Sequence, residues 1–196
     1  MKATVTNFNV DWKHIKNLCR QTIALGSSTK APSDEWKRKL LICRHSPLRA
    51  GTMTVKLEDI PFFVMGHLVR HNVGVTPFVT TSRSDRTGVN RHERTQTDPV
   101  SMQIDMNVEA LMNISEKRLC TCADKATIRA WKKVVEAVRE YDENVAWACV
   151  PSCVRLGGCP ETFGGCKFYE KLMEDAPIET QQNMIKRYNL YNNRMK

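Results

Sequence analysis

Two short segments in which apolar and polar residues alternate constrain the fold of this chain more than any other feature. Residues 52–57 read T-M-T-V-K-L and residues 100–106 read V-S-M-Q-I-D-M, with an apolar side chain at every second position. Successive side chains of a β-strand point to opposite faces of the sheet, so each segment predicts a half-buried strand. The chain is therefore expected to build a core against one face of a sheet.

Helical patterns surround these two segments. Asp11 is a predicted N-cap for a helix through Arg20, and a second helix is predicted from Ser33 to near Cys43. A third helix begins near Asn107, a favoured capping residue. An apolar stripe from Thr127 to Val145 predicts a long helix that ends before Pro151 and belongs to the core or to an oligomer contact. The helix that begins near Asn107 has four residues on one face, at spacings of four, three and four. They are Asn107, Leu111, Ile114 and Arg118.

Composition narrows the class of protein. With 41% hydrophobic and 26% charged residues, the 196-residue chain has the composition of an ordinary soluble globular protein. No apolar run approaches the roughly 20 residues that span a bilayer, and the N-terminal segment lacks a secretory pattern, so we expect a cytoplasmic protein without a membrane partner. The net charge of +9 favours polyanionic partners such as nucleic acid, nucleotides or a folate.

A nearly all-apolar segment that carries His67, Arg70 and His71 is the first candidate site. We predict a helix with Asp59 as its N-cap and Pro61 in its first turn, which places these three side chains on adjacent turns. Burial of an unpaired guanidinium is costly, so Arg70 should face a carboxylate, a phosphate or a wet cleft. The alternative is a purely structural pair of Arg70 with an Asp or Glu, with a histidine bonded to a backbone carbonyl.

The loop that follows combines hydroxyls with guanidinium groups. Convergent hydroxyls, backbone N–H groups and guanidinium forks are the donors that a phosphate requires, so the loop predicts an anion site. A solvated basic loop is the alternative. The residues are Thr80, Thr81, Ser82, Ser84 and Thr87, interleaved with Arg83, Arg86, Arg91 and Arg94.

At these residues the chain resembles the flavin-dependent thymidylate synthases. Residues 43–86 contain H-S-P-L-R-A, then a predicted strand, then H-L-V-R-H. The family's signature is Arg-His-Arg followed by a serine. Arg70-His71-Asn72 stands in place of the triplet, and Thr80 stands in place of the serine. Residues 106–119, M-N-V-E-A-L-M-N-I-S-E-K-R-L, resemble the family helix whose Asn, Asn and Arg touch flavin and nucleotide. Asn72 removes one cation from the triplet, and the segment between the two blocks is shorter than in the family.

The resemblance implies an α+β fold, with a mixed or antiparallel sheet flanked by helices and flavin at the subunit interfaces of a homotetramer. It also implies a transferase of nucleotide biosynthesis that methylates dUMP to dTMP, with FAD as the hydride donor, methylenetetrahydrofolate as the carbon source and NADPH as reductant. A compact chain of this kind would suit a bacterial or phage-infected host cell. Residues 1–148 would form the catalytic domain, and residues 149–196 a cysteine-rich segment with a helical tail.

The same resemblance assigns roles to individual residues. Arg70, Ser84 and Arg118 are implied as catalytic. The implied FAD contacts are Ser46, Arg70, His71, Asn72, Asn107, Asn113 and Arg118. The implied nucleotide contacts are His67, Thr80, Ser84, Arg86, Arg91 and Arg118.

Four of the eight cysteines cluster in 18 residues separated by proline and glycine turns. Thiolates with such spacing could wrap a tetrahedral zinc ion, although the intervals lack the tight two-residue knuckle of common zinc sites. Free thiols in a reducing cytosol are the alternative. The candidate ligands are Cys149, Cys153, Cys159 and Cys166.

Two other functions are compatible with the sequence. A related reaction at C5, such as hydroxymethylation of dUMP or modification of dCMP, would suit the altered loop. A non-catalytic, basic and zinc-stabilised nucleic-acid-binding protein is the second, but aromatic residues make up only 7% of the chain and do not interleave with the basic residues as stacking platforms do. Nucleic acid is therefore the less favoured partner.

Overall fold

A computed structural model describes residues 1–195, and Lys196 at the end of the predicted tail lies outside the described residues. The strands are β1 (Lys2–Asn9), β2 (Thr52–Pro61), β3 (Val75–Val79) and β4 (Pro99–Asn107). Two short 3-10 segments cover Ser46–Ala50 and Arg91–Glu93. The helices are α1 (Trp12–Gln21), α2 (Asp34–Cys43), α3 (Phe62–Leu68), α4 (Ser84–Thr87), α5 (Val108–Arg118), α6 (Lys125–Arg139), α7 (Glu143–Trp147), α8 (Ser152–Leu156), α9 (Phe168–Met173), α10 (Ile178–Gln182) and α11 (Met184–Met195).

The four strands form one antiparallel sheet in the order β1-β2-β4-β3. The two predicted strands are its central pair, β2 and β4, and both extend a little further than the alternation indicated. This arrangement confirms the α+β class and selects the antiparallel form of the predicted sheet. It also places the end of β2 and the end of β4 beside the helices that carry the candidate residues.

One face of the sheet is the floor of the hydrophobic core. Met53 and Val55 on β2, with Ile104 and Met106 on β4, are almost fully buried, whereas their neighbours along each strand are not. Helix α6 covers this face at β1 and β2, and Trp131 on α6 is fully buried. The predicted alternation therefore corresponds to a real inside and outside, as a half-buried antiparallel sheet requires.

Two predicted N-caps and the predicted helix start at Ser33 are confirmed. Asp11 accepts hydrogen bonds from the backbone at the start of α1, Ser33 does so for α2, and Asn107 does so for α5. Each side-chain oxygen satisfies an N–H that the helix itself leaves unpaired.

The predicted start of the helix that carries His67 is wrong. Asp59 has φ +57° and lies at a register shift of β2, and Pro61 is still the last residue of that strand. Helix α3 begins at Phe62, whose N–H donates to the carbonyl oxygen of Asp98. Because α3 ends at Leu68, Arg70 and the next residue lie in the turn after the helix rather than on it.

The long helix predicted up to Val145 is interrupted. Helix α6 ends at Arg139, and α7 starts after Asp142, whose side chain caps it. The same carboxylate accepts a hydrogen bond from Trp12 Nε1 at 2.5 Å, and Tyr141 Oη donates to the backbone oxygen of Val5 at 3.3 Å. The corner between α6 and α7 therefore holds both β1 and the start of α1.

The C-terminal helices complete this core. Val154 on α8 and Tyr188 on α11 are fully buried and belong to the same hydrophobic cluster as the sheet residues. Helix α11 packs against α2, α7 and α8. Within residues 1–195, every helix is too short or too polar to cross a membrane.

Candidate functional site

Four of the predicted site residues meet where α5 ends beside the turn after α3. Arg118, at the end of α5, donates from Nη2 to the backbone oxygen of His67 at 2.6 Å and from Nε to Nε2 of His71 at 3.0 Å. Arg70 is the residue between these two contacts in the chain. The guanidinium of Arg118 is thus clamped in one orientation by partners that lie about 50 positions earlier in the sequence.

His71 is electrically neutral in this arrangement. Its partial burial, followed by the positive charges of Arg118 and Lys117, lowers the pKa of His71 from 6.5 to about 4. A neutral imidazole has one donor and one acceptor nitrogen, and Nε2 accepts here. Nδ1 therefore carries the proton, so His71 offers an N–H donor to a ligand without adding charge.

Arg70 gives the site a second cation with a free head group. The residue is exposed and forms no ion pair within residues 1–195, which contradicts a structural pair with an Asp or Glu. Burial first and the charge of Arg70 second lower the pKa of Arg118. Two neighbouring guanidinium groups, of which Arg118 is half-buried, favour a bound anion because the anion relieves their repulsion.

Thr127 is a contact that sequence reasoning missed. Its Oγ1 lies 2.9 Å from Nδ1 of His67, and it is fully buried at the start of α6. Asp124 accepts from the backbone N–H of Thr127 and caps that helix. The sequence signal is the D-x-x-T spacing of a helix N-terminus, whereas the predicted apolar stripe counts Thr127 only as a core position.

The loop from Thr80 to Arg94 forms a second, separate cleft. Arg91 lines a cleft of about 400 Å³ with Ser82, His92 and Arg94, and Nε of Arg94 is buried without a protein partner. Thr80 lies apart from it, because its hydroxyl donates to the backbone oxygen of Ser101 at 2.8 Å and continues the pairing of β3 with β4.

Ser84 and Arg86 lie on the exposed helix α4. The Ser84 hydroxyl accepts from the backbone N–H of Arg91 at 3.1 Å, which ties α4 to the second cleft. Arg86 lies 3.7 Å from the carboxylate of Asp85, a weak exposed contact that leaves its guanidinium available to a ligand.

Asn107 lies in a third cleft at the outer face of the sheet. This cleft of about 370 Å³ is also lined by Arg49, Thr54 and Asp105. The Asn107 side chain caps α5 and packs so closely on Gly74 that a Cβ there would lie 2.6 Å from its Nδ2. Gly74 has φ +69°, a conformation that glycine adopts without strain.

Asn113, Ser46 and Asn72 do not join the Arg118 cluster. Asn113 is bonded to Arg44, which in turn pairs with the buried Glu116. Ser46 and Asn72 are exposed, at the start of a 3-10 segment and in the turn after α3.

The length of α5 explains why the described chain does not bring Asn107 and Arg118 together. Asn107 caps the start of this 11-residue helix and Arg118 is its last residue, which places them about 16 Å apart along its axis. The Arg118 cluster and the Asn107 cleft are therefore two ends of one element. The described chain brings together His67, Arg70, His71 and Arg118, and it leaves the other predicted residues at separate places.

The structure does not bring the four predicted zinc ligands together. Cys149 is buried and lines a groove with Tyr191, whereas Cys153, Cys159 and Cys166 line a different cavity. In the described part of the chain, no three His, Cys, Asp or Glu side chains are placed to hold a metal ion. The grouping in sequence fails because Cys149 precedes α8 and faces its own groove, whereas Cys153 on α8 faces the cavity of Cys159 and Cys166.

No protein-family model matches the sequence, and no curated protein matches it in sequence. Solved structures do match in three dimensions. A flavin-dependent thymidylate synthase, ThyX from Helicobacter pylori complexed with FAD and dUMP, aligns with 76% of this chain and 100% of its own, at 12% identity and a TM-score of 0.64. A UMP/dUMP methylase, PolB from Streptomyces cacaoi bound with 5-Br dUMP, aligns with 75% of this chain and 93% of its own, at 12% identity and a TM-score of 0.62.

The chain has the ThyX fold. At about 12% identity the likeness defines the fold alone, so the roles of individual residues depend on the local geometry. In this ThyX fold the clamped Arg118, the neutral His71 and the free Arg70 form the strongest candidate for a bound anion.

Proposed function

We propose that the protein is a flavin-dependent enzyme that transfers a one-carbon unit to C5 of a pyrimidine deoxynucleotide. Methylation of dUMP to dTMP is the reaction that the family resemblance favours. The fold supports this proposal because its solved neighbours include a thymidylate synthase complexed with FAD and dUMP and a dUMP methylase. Methylenetetrahydrofolate and NADPH are the proposed carbon source and reductant.

The observation that carries the proposal is the clamp on Arg118. Arg118 and His71 correspond to the family's arginine and histidine at flavin and nucleotide, and they lie in direct contact although 47 positions separate them. Free Arg70 adjoins them. These residues fit an anionic dinucleotide cofactor, since they supply two positive charges and one neutral N–H donor at one place.

FAD would supply the hydride when bound, and the protein residues would supply binding and orientation. Arg118 is proposed to bind a negatively charged group of the flavin or the nucleotide. The His67 carbonyl would fix the orientation of the Arg118 guanidinium for this contact. His71 would donate from Nδ1 to a flavin acceptor. Ser84 and Arg86, both exposed, are proposed to bind the nucleotide phosphate, and Arg91 to add charge beside them.

A site shared between subunits would unite the separated clefts. Asn107, Arg118 and the loop of Ser84 lie in different places on one protomer, and a homotetramer would let one subunit's cleft face another subunit's loop. Mass photometry of the purified protein at several concentrations tests this part. A tetramer agrees with a shared site, whereas a monomer that still binds FAD with full stoichiometry contradicts it.

The function is tested first by a visible absorption spectrum after addition of FAD and removal of the unbound fraction. Retained flavin bands are expected, with reoxidation of the reduced flavin when dUMP and methylenetetrahydrofolate are added. Arg118→Ala should weaken nucleotide or flavin binding about tenfold to a hundredfold, because a hydrogen bond to a charged group contributes about 1.5–3 kcal/mol. Arg129→Ala, an exposed arginine on α6, is the matched control.

The outcomes separate the alternatives. Turnover of UMP or dCMP in place of dUMP would keep the enzyme class and change the substrate. A protein that retains no FAD even with nucleotide present would overturn the proposal, and a steep salt dependence of DNA binding would then favour a nucleic-acid-binding protein.

A further inference from the structure

Five thiols from two distant parts of the chain line one cavity of about 270 Å³. Two come from the C-T-C sequence directly after α5, and three come from the segment that starts at α8. The distribution is not a run of neighbouring residues, since at least 30 positions separate the two groups. The five are Cys120, Cys122, Cys153, Cys159 and Cys166.

Two of these thiols lie at one place on the cavity wall. Cys122 and Cys166 both line the cavity, and Oγ1 of Thr121, the residue before Cys122, lies 2.7 Å from Sγ of Cys166. Cys122 is exposed and Cys166 is half-buried, so solvent and small oxidants reach the pair. Cys153, in contrast, is buried at the back of the cavity.

We propose that Cys122 and Cys166 are a site of reversible oxidation by hydroperoxides, in which the two thiols form a disulfide. A shared cavity, access from solvent and the Thr121 hydroxyl beside Cys166 are the features that fit a sensor thiol with a resolving partner. Arg118 also lines this cavity, so the pair lies beside the Arg118 cluster, but the proposal does not depend on the function proposed above.

The chemistry balances with hydrogen peroxide as the oxidant. The sulfur of Cys166 attacks one peroxide oxygen, the O–O bond breaks, and a sulfenic acid and one water form. The sulfur of Cys122 then attacks the sulfenic sulfur, the S–O bond breaks, and the disulfide and a second water form. The two thiols lose two electrons and two protons, peroxide is reduced to two waters, and a dithiol reductant reverses the change.

The disulfide would fasten one surface loop. Residues 157–167 leave α8 at Gly157, φ +80°, and turn again at Gly164, φ +99°. A bond to Cys122 would fix this loop to the residues that follow Arg118. The oxidised protein should therefore resist limited proteolysis between residues 157 and 167 more than the reduced protein does.

The test treats the full chain with one equivalent of hydrogen peroxide and maps peptides without reduction. The expected result is an intact mass lower by two hydrogen atoms, a linked pair of peptides that carry Cys122 and Cys166, and full reversal by dithiothreitol. Cys122→Ser should instead accumulate a sulfenic acid at Cys166 that dimedone traps. Cys159→Ser, an exposed thiol of the same cavity, is the control and should still form the disulfide.

Three results would overturn the proposal. The first is a disulfide between Cys166 and Cys159 instead of Cys122. The second is oxidation of the distant exposed Cys43 while Cys122 and Cys166 stay reduced. The third is a zinc ion in the purified protein that protects these thiols from oxidation until it is removed. Peptide mapping distinguishes the first two results and metal analysis detects the third. Both use the wild-type protein, so the test does not depend on the folding of a variant.

Discussion

Replacement of Glu116 by glutamine should strongly destabilise the protein. The side chain is only 9% exposed, and its carboxylate accepts from Arg44 and from Nε and Nη2 of Arg155, the latter at 2.7 and 3.1 Å. Glutamine keeps the size but removes the charge, so two arginines with 19% and 29% exposed side chains lose their counter-ion.

The magnitude follows from the burial of the network. Removal of one partner from a buried ion pair costs about 3–5 kcal/mol. Glutamine retains one oxygen acceptor, so we expect the lower end, about 3 kcal/mol. For a chain of this length that corresponds to a decrease in Tm of roughly 6–12 °C.

Urea unfolding followed by tryptophan fluorescence gives the free energy of unfolding. The control is Glu109→Gln, since Glu109 pairs with Arg49, which is 63% exposed. An exposed pair of this kind contributes at most about 1 kcal/mol. If the two variants differ by less than about 1 kcal/mol, the burial argument for Glu116 is refuted.

Three further changes test other parts of the structure. Gly74→Ala should cost about 2 kcal/mol in urea unfolding, because φ is +69° and the new Cβ would displace the Asn107 cap, and an unchanged midpoint would contradict this. Ser115→Ala should cost about 1–3 kcal/mol, since Nε1 of buried Trp131 donates to the Ser115 hydroxyl and would lose its partner, and Ser115→Thr is the check on the hydroxyl. The pKa of His71 falls from 6.5 to about 4 on folding, so its stabilisation is complete above pH 6.5 and is lost as the pH falls towards 4. His71→Gln should flatten the stability curve across that interval, and parallel curves for both proteins would refute the assignment.

The sequence predicted elements whose signals are local. Alternation identified the central strands, and short polar side chains identified the caps of α1, α2 and α5, because each signal resides within a few residues of its element. The flanking strands were missed for a physical reason. Strand β1 is mostly polar, with Val5 as its one buried residue, and β3 contains Pro77, which an edge strand tolerates but a central strand does not.

The sequence identified which residues belong to the candidate site but not how they contact one another. Arg118, His71 and His67 were all identified, but the bond from Arg118 to a backbone oxygen 51 positions away carries no sequence signal. The cysteines show the same limit. Proximity in sequence grouped Cys149 with Cys166, whereas the fold places Cys166 in one cavity with Cys122, 44 positions earlier, and Cys149 in a different groove.

The corner between α6 and α7 also determines when the first residues of the chain can fold during synthesis. The contacts of Trp12 with Asp142 and of Val5 with Tyr141 span 130 and 136 positions. At about 5–20 residues per second, a ribosome needs on the order of ten seconds to deliver the second partner. Throughout that interval β1 and β2 lack the cover of α6, so the nascent chain exposes the apolar face of its sheet, and a ribosome-associated chaperone that shields this face should raise the yield of folded protein.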